Sequence, residues 1–415
     1  MSIEGPIQTN NSGLVFYFDS KEPKSYVGEP TTNRCQQVSN YTGTNYSDGT
    51  HGGEWTSDPT RFTKTYDASI LTPIGLGATL CAESGTAGYH HLSSMGGGGE
   101  SGLHSISFYI KPLNSITNFT IGMLGDGGNQ ISFNLSTRAI TYGGGISNTN
   151  AFCVEVSGFP GWLYVGANIE GRSGGWVGSV GITTASSYTP TTPYKAFYIT
   201  ALQYEYKVAP TKFTVGTRSN TQGLLDLVGG STIDLTSAGY NASSEITFNG
   251  SSNYVTINKT ATQLGLVSGG QMTVEVFVRL SSLSGYTHIV DGSGNRWHLA
   301  VEDSAAGASA YFYNGSSYHS TSSPAITANT WVYIAGVQEA SLLKIYINGV
   351  LATNGSLSSA SSNLLQDCNV AIGYWQGSNA RYLNGQIGYA RIYNRALSAS
   401  EILKNFNSQR SRYSV

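Results

Sequence analysis

"GQIGYARIYNRALSASEILKNF", residues 385–406, changes period partway along. Ile387, Tyr389, Arg391 and Tyr393 alternate with Gly388, Ala390 and Ile392, the repeat of a β-strand. The alternation then stops. Ser398 with Glu401 three residues on forms a capping box, and Leu397 and Ile402 stand at N′ and N4 of a hydrophobic staple. A helix is therefore predicted from about Ala399, with Ile402, Leu403 and Phe406 as the apolar face it lays on a sheet. A core strand running into one short capped helix predicts a β-sandwich that closes at this point.

Upstream, the same alternation recurs at the spacing of a sandwich. In "QMTVEVFVRL" (271–280) Met272, Val274, Val276, Val278 and Leu280 share one face, and the opposite face reads as mostly polar. "TWVYIAGVQ" (330–338) is apolar on both faces and reads as a covered strand. Asn314-Gly315 and Asn348-Gly349 sit between strand-like arms, where the positive φ of a type I′ hairpin turn is needed. The first half has the same texture in "HSISFYIKPL" (104–113), "GWLYVGANIEG" (161–171) and "KAFYITALQYEY" (195–206). No stretch between 30 and 260 carries a helical period, and no repeat of 20 to 50 residues points to a propeller or β-helix. The fold class is all-β: two jelly-roll or β-sandwich modules and a short C-terminal helix.

Composition fits this reading. Only 11% of the 415 residues are charged, while 52 are Gly and 27 are Tyr, the balance expected of short strands joined by tight turns. A formal net charge of −2 gives no basic surplus for phosphate binding, so nucleic acid is not an expected partner. No apolar run is long enough to span a bilayer, and residues 1–13 lack the basic and apolar regions of a signal peptide, so neither membrane insertion nor export is expected. Cys35, Cys81, Cys153 and Cys368 lack any C-x-x-C spacing and read as small buried hydrophobes.

The segments 246–257, 272–280, 329–337, 344–352, 369–375 and 384–407, in that order, resemble laminin-G-like domains of the concanavalin A-like lectin/glucanase superfamily. The closing "YNRAL", "S-x-x-E" and short helix are especially similar to those of tailed-phage virion proteins. "NSGLVFYFDSKEPKSYVGEPTTN" (11–33) resembles the opening strand of the same domains, yet the "DLSG"-like element that normally follows soon after appears only within "LLDLVGGSTIDL" (224–235). This spacing implies an insertion. Residues 1–27 are expected to hold an N-terminal arm and the first strand, Gly13 to Asp19. Residues 28–218 would form an inserted module resembling carbohydrate-binding jelly rolls, whose exit is "YITALQYEYKVAPTKFTVGTRS" (198–219). Residues 219–408 would complete the concanavalin A-like sandwich, leaving 409–415 as a tail.

Sites follow from how such modules hold sugars, with exposed aromatic rings stacked on the C–H face of the ring and amides or carboxylates on the hydroxyls. In the inserted module the candidates are Trp55, Trp162, Tyr164 and Trp176, the last in a Gly-flanked stretch read as a loop. In the other module they are Trp297, His298, Trp375 and Tyr382. Most of these rings are expected in the core, with Trp375, followed by "QGSN", the better candidate for exposure. Relatives that hold structural calcium direct attention to Asp291 in "VDGSGN" and Asp126 in "GDGGNQ", but neither has D-x-D-x-D-G spacing, and both read as turn-forming Asp. No other cofactor is expected.

Catalytic signatures are missing. The strands corresponding to the glucanase E-x-D-x-E read "TVEVFVRL" and "LAVEDSAAG"; there is no G-x-S-x-G or H-E-x-x-H, and "MGGGGESG" (95–102), lacking Lys-Ser/Thr, reads as a flexible connection. The resemblance implies a non-enzymatic virion protein of a tailed phage, a tail, fibre-like or capsid-surface adhesin. It would assemble in the host cytoplasm as a homo-oligomer with other virion proteins and present glycan-binding surfaces to the host. A purely architectural cement protein is the alternative, and an envelope-degrading glycosidase ranks below both.

Overall fold

The computed structural model describes residues 11–32, 62–75, 77–88, 90–97, 102–113, 116–123, 130–143, 150–171, 176–182, 189–207, 209–214, 217–242, 245–266, 270–283, 285–293, 296–304, 307–313, 318–320, 326–339, 342–352, 367–378 and 380–415. At 91–97, 102–103, 122–123, 169–171, 176–181, 304, 307 and 318–320 the backbone alone is described. The chain divides into two compact units, residues 1–30 with 219–415, and residues 31–218.

In the first unit, two antiparallel sheets enclose one core. The seven-stranded sheet runs in the order Ile233–Asp234, Val255–Thr260, Asn369–Ile372, Tyr286–Gly292, Trp297–Ser304, Gly307–Tyr313, Tyr318–Ser320. The eight-stranded sheet has Met272–Leu280 between Asn384–Tyr393 and Trp331–Glu339. Strand Leu14–Asp19 joins the other edge of Asn384–Tyr393, with Tyr17 opposite Arg391 and Asp19 opposite Tyr389. As the alternation predicts, Met272, Val274, Val276, Val278 and Leu280 are buried in the core between the sheets. Asn348 and Gly349, at φ 49° and 79°, make the left-handed turn of one expected hairpin. Tyr313 pairs with Tyr318 across the other, whose Asn314-Gly315 lies outside the described residues.

The second face of Met272–Leu280, mostly polar in composition as read from the alternation, is nevertheless closed to solvent. Thr273, Glu275 and Phe277 are fully buried, because the helix Ala399–Tyr413 lies over them and creates a second core with Tyr333, Tyr389, Tyr393, Ile402, Phe406 and Tyr413. Glu275 is ion-paired to Arg391 at 3.0 Å, accepts 2.7 Å from the Tyr333 hydroxyl, and accepts from Asn405 Nδ2 at 3.1 and 3.2 Å. Burial, then the neighbouring Glu275, pushes the Tyr333 phenol well above its ordinary range, so it remains a donor.

A bulge also re-phases the closing strand. Phe277 pairs with Tyr389 but Val278 with Ile387, so Gly388 is the extra residue. Ile387 therefore joins Ala390 and Ile392 in the sandwich core, while Tyr389 and Tyr393 face the helix. A Cβ at Gly388 would lie 2.3 Å from the Tyr413 ring.

The helix begins at Ala399 with the capping box formed: Ser398 N donates to Glu401 Oε2 at 2.8 Å, and Glu401 N donates to Ser398 Oγ at 3.3 Å. Its buried stripe is Ile402, Asn405, Phe406, Gln409 and Tyr413. Leu403, expected on the apolar face, is 43% exposed, because it is rotated about 100° past Ile402. The expected tail from 409 is instead the last turn and a half of the helix, tied down by Arg412 paired with Asp19.

In the second unit, Phe152–Glu155, Leu163–Gly171, Gly102–Leu113, Ala196–Glu205, Ala78–Glu83 and Phe62–Asp67 form a six-stranded sheet. It faces a five-stranded one of His91–Gly97, Trp176–Gly181, Asn118–Met123, Gln130–Asn134 and Ile140–Gly143, over a core rich in Phe108, Phe119, Phe133 and Phe197. Residues 95–97, expected in a flexible connection, belong to strand His91–Gly97. The Q-x-E pair pins the exit segment: Gln203 Nε2 donates to Thr211 O at 3.1 Å, and Glu205 Oε1 accepts from Thr211 N at 2.6 Å. Cys81, Cys153 and Cys368 are buried and not disulfide-bonded; burial pushes the Cys81 thiol up to about 12. Cys35 lies outside the described residues.

Arg391→Met should destabilise the protein by about 3–5 kcal/mol in denaturant unfolding, because Glu275 is left as an unpaired buried charge. Glu275→Leu combined with Arg391→Met should recover most of that loss; a double variant as unstable as the single one would contradict this account. Glu401, hydrogen-bonded by Arg395 and held at the cap, titrates at about 2 rather than 4.5. A depressed carboxylate stabilises above its unfolded value and loses the effect as pH falls through the folded one. Glu401→Gln should accordingly be less stable than wild type at neutral pH, with the difference shrinking as pH falls from about 4.5 and vanishing only below about 2, read from urea midpoints.

Candidate functional site

The outer face of the seven-stranded sheet gathers polar groups around strand Tyr286–Gly292. His288 and Asp291 are three residues apart, an odd spacing that puts side chains on opposite faces of a regular strand. A bulge between His288 and Val290 cancels this. Ile289 and Val290 both enter the core, and His288 and Asp291 emerge together. Asp291 pairs directly across from His298 on strand Trp297–Ser304.

These groups are close and buried. Asp291 Oδ1 is 3.0 Å from His288 Nδ1 and 3.9 Å from His298 Nδ1. The imidazoles lie 4.2 Å apart, and His298 stacks on Tyr313 at 4.7 Å. The second carboxylate oxygen of Asp291 accepts from Gln376 N at 3.1 Å, and Gln376 Nε2 donates to Asp291 O and Asn369 O. Burial, followed by His288 and Arg381, drives the His298 imidazole down to about 2. Burial also lowers His288 against the opposing pull of Asp291. Both rings are neutral at neutral pH. Arg381 Nη1 stands 3.4 Å from His288 Nε2, and since Arg only donates, His288 carries its proton on Nδ1, toward Asp291.

A short hairpin builds the rim of this face. Trp375 and Ala380 bridge, Leu383 N bonds to Gly373 O, and Arg381 takes a positive φ of 55°. The Arg381 guanidinium lies between the Trp375 and Tyr286 rings, 4.3 and 4.7 Å from their centroids. Trp375 is half-buried and Tyr286 is exposed. Tyr374 and Tyr382 stack at 5.6 Å, and Tyr254 adds a third ring, 4.2 Å from Tyr374.

The sequence-derived candidates therefore separate. Trp375 and Tyr382 are partly accessible on this hairpin, and His298 is buried, against the rings of His288 and Tyr313. Trp297 is fully buried in the sandwich core, because it points to the inner face of the strand whose outer face carries His298. Trp162 is likewise 2% exposed, its Nε1 donating to Leu71 O at 3.1 Å. Asp291 is not a turn residue; it lies buried in a strand between two imidazoles, a donor set foreign to calcium. Trp176 opens a strand rather than sitting in a loop, and its side chain is not among those described. Trp55 and Asp126 lie outside the described residues. Tyr164 is half-buried in an aromatic row that also takes in Tyr109 and Phe152, at 4.6 and 4.9 Å.

Residues 249–403 match the concanavalin A-like lectin/glucanases superfamily. No curated protein matches the chain. Among solved structures, the chain is similar to the native heptameric SAP-like pentraxin of Limulus polyphemus, at 15% identity over 38% of this chain and 78% of that one, TM-score 0.32. Domain 4 of the GH43 extracellular arabinanase AbnA of Geobacillus stearothermophilus, solved with arabinotriose, aligns at 19% identity over 45% of this chain and 91% of that one, TM-score 0.32. A botulinum neurotoxin type C structure, described in terms of cell entry through two ganglioside molecules, aligns at 14% identity over 46% of this chain and half of its own, TM-score 0.34.

Gly377 packs against the indole of Trp375, and a Cβ there would come within 2.7 Å of the ring. Gly377→Ala should shift the tryptophan emission spectrum while changing stability by no more than about 1 kcal/mol. An unchanged spectrum would show that the hairpin does not fix the indole.

Proposed function

We propose that this chain is a non-enzymatic, glycan-binding protein of a tailed-phage particle, and that its concanavalin A-like unit contacts sugar through the Trp375–Arg381–Tyr286 rim. The observation that carries this is the half-buried Trp375 ring, held by the Arg381 guanidinium beside the exposed Tyr286 ring. An immobilised aromatic surface beside fixed polar groups suits the two faces of a pyranose, with little ordering cost on binding. The superfamily match over 249–403 supports a lectin-like module. The similarity of residues 11–33 and 384–407 to phage virion domains supports the particle, with other virion proteins and host glycan as partners. The one carboxylate on strand Met272–Leu280, Glu275, is enclosed beneath the helix, away from the sheet face described here, which supports a binding rather than a hydrolytic role.

Host-envelope polysaccharides or a glycan array should capture the wild-type chain, and Trp375→Ala should weaken capture by at least about tenfold, the least expected for loss of an aromatic anchor. Equal capture by both would remove the rim from the proposal, and no capture of either would favour the architectural alternative. Peptides of this chain should be found by mass spectrometry in purified particles; their absence would refute the virion assignment.

A further inference from the structure

We propose that His288, Asp291 and His298 form a zinc site on the outer face of the seven-stranded sheet. Their ligand atoms all lie within 4.8 Å of one another. A tetrahedral zinc ion, with bonds of about 2.1 Å, holds its donors about 3.4 Å apart. The two measured nitrogen-to-oxygen separations, 3.0 and 3.9 Å, lie on either side of that value. The donor set of two imidazoles and one carboxylate belongs to zinc and its neighbours in the first transition row, whereas calcium takes six or more oxygens.

A second observation points to the same position. His298 is only 5% exposed, yet its Nδ1 has no hydrogen-bond partner and is directed toward Asp291 at a distance beyond hydrogen bonding. An orphaned buried nitrogen needs an explanation, and a shared ion supplies one. The surroundings are those of a ligand set: Gln376 fixes the orientation of Asp291 through its backbone N–H and side chain, and Tyr313 fixes the plane of His298.

Occupancy has a consequence for the rim. When Nδ1 of His288 binds the ion, its proton moves to Nε2, with no net proton change for the ring. Two N–H groups would then face each other at His288 Nε2 and Arg381 Nη1, so Arg381 releases this contact while keeping its place against Trp375. The charge of the ion also stands close to the indole, whose ring lies 5.8 Å from that of His288, so tryptophan emission reports uptake.

The test uses the full chain, chelator-treated and free of any affinity tag, titrated with zinc in a calorimeter and followed by tryptophan emission. Cobalt(II) serves as a visible-absorbing substitute. Wild type should take up one zinc ion per chain at this site, with a change in emission. His298→Ala should weaken that uptake by more than about 100-fold, beyond what is lost with a group that only orients a ligand. Asp291→Asn, which preserves shape, provides the same comparison if His298→Ala does not fold. Trp375→Ala should bind zinc as wild type does, which separates this site from the sugar-binding reading. No zinc uptake by wild type, or undiminished uptake by both ligand variants, would overturn the proposal.

Discussion

The buried carboxylate of Glu275 constrains how the concanavalin A-like unit closes. A charge on the central strand of a sheet, removed from water, is tolerated only if nearly all of its hydrogen-bonding capacity is met. Its partners come from three directions: Arg391 from the neighbouring strand, Tyr333 from the other neighbour, and Asn405 from the helix. Arg391 is covered in turn by the ring of Tyr17, 4.2 Å away, on the first strand. One acidic residue thus requires the two ends of the chain to be in place together, and the second hydrophobic core assembles around that requirement.

Sequence periodicity revealed the elements well and their surroundings poorly. The strands fall where the alternation predicts them, and Ser398 and Glu401 place the helix start because a cap is a local interaction that needs no tertiary context. The burial of the second face of Met272–Leu280 is not legible, because Thr, Glu and Phe in alternation describe a solvent face unless a helix is known to cover them. The phase of Asn384–Tyr393 was misread for a different reason: a bulge adds a residue without changing composition, and Gly388 gives no sign in one sequence that it is required by the Tyr413 ring.

The candidate site was hidden by the same device. His288 and Asp291 stand at a spacing that argues against a shared face, and only the bulge at Ile289–Val290 brings them together. Arg381 and Gln376 gave no signal, since their roles depend on a hairpin folding back over the sheet. Trp375 was legible because its Gly- and polar-rich flank describes a turn, whereas Trp297 lacks that flank and is core, its side set by one step of strand register. The superfamily match over 249–403, by contrast, was readable from the ordered strands and the closing helix, which are set by packing and not by ligand.

The discontinuity of this unit bears on the order in which the protein is made. Strand Leu14–Asp19 leaves the ribosome with Phe16 and Phe18 and an open backbone edge, while its partner, Asn384–Tyr393, has yet to be synthesised. At about 5–20 residues per second, the wait is roughly 20 to 70 seconds. During that interval residues 31–218 can complete their own core, and the pairing of Thr31–Thr32 with Thr217–Arg218 brings the start and finish of that segment side by side. A finished segment with adjoining ends acts as a short tether, so the chain entropy lost when the first strand meets the last is that of a much smaller loop. Biosynthesis therefore favours the inserted unit folding first, as the clamp that holds the opening strand near the place where its partner will arrive.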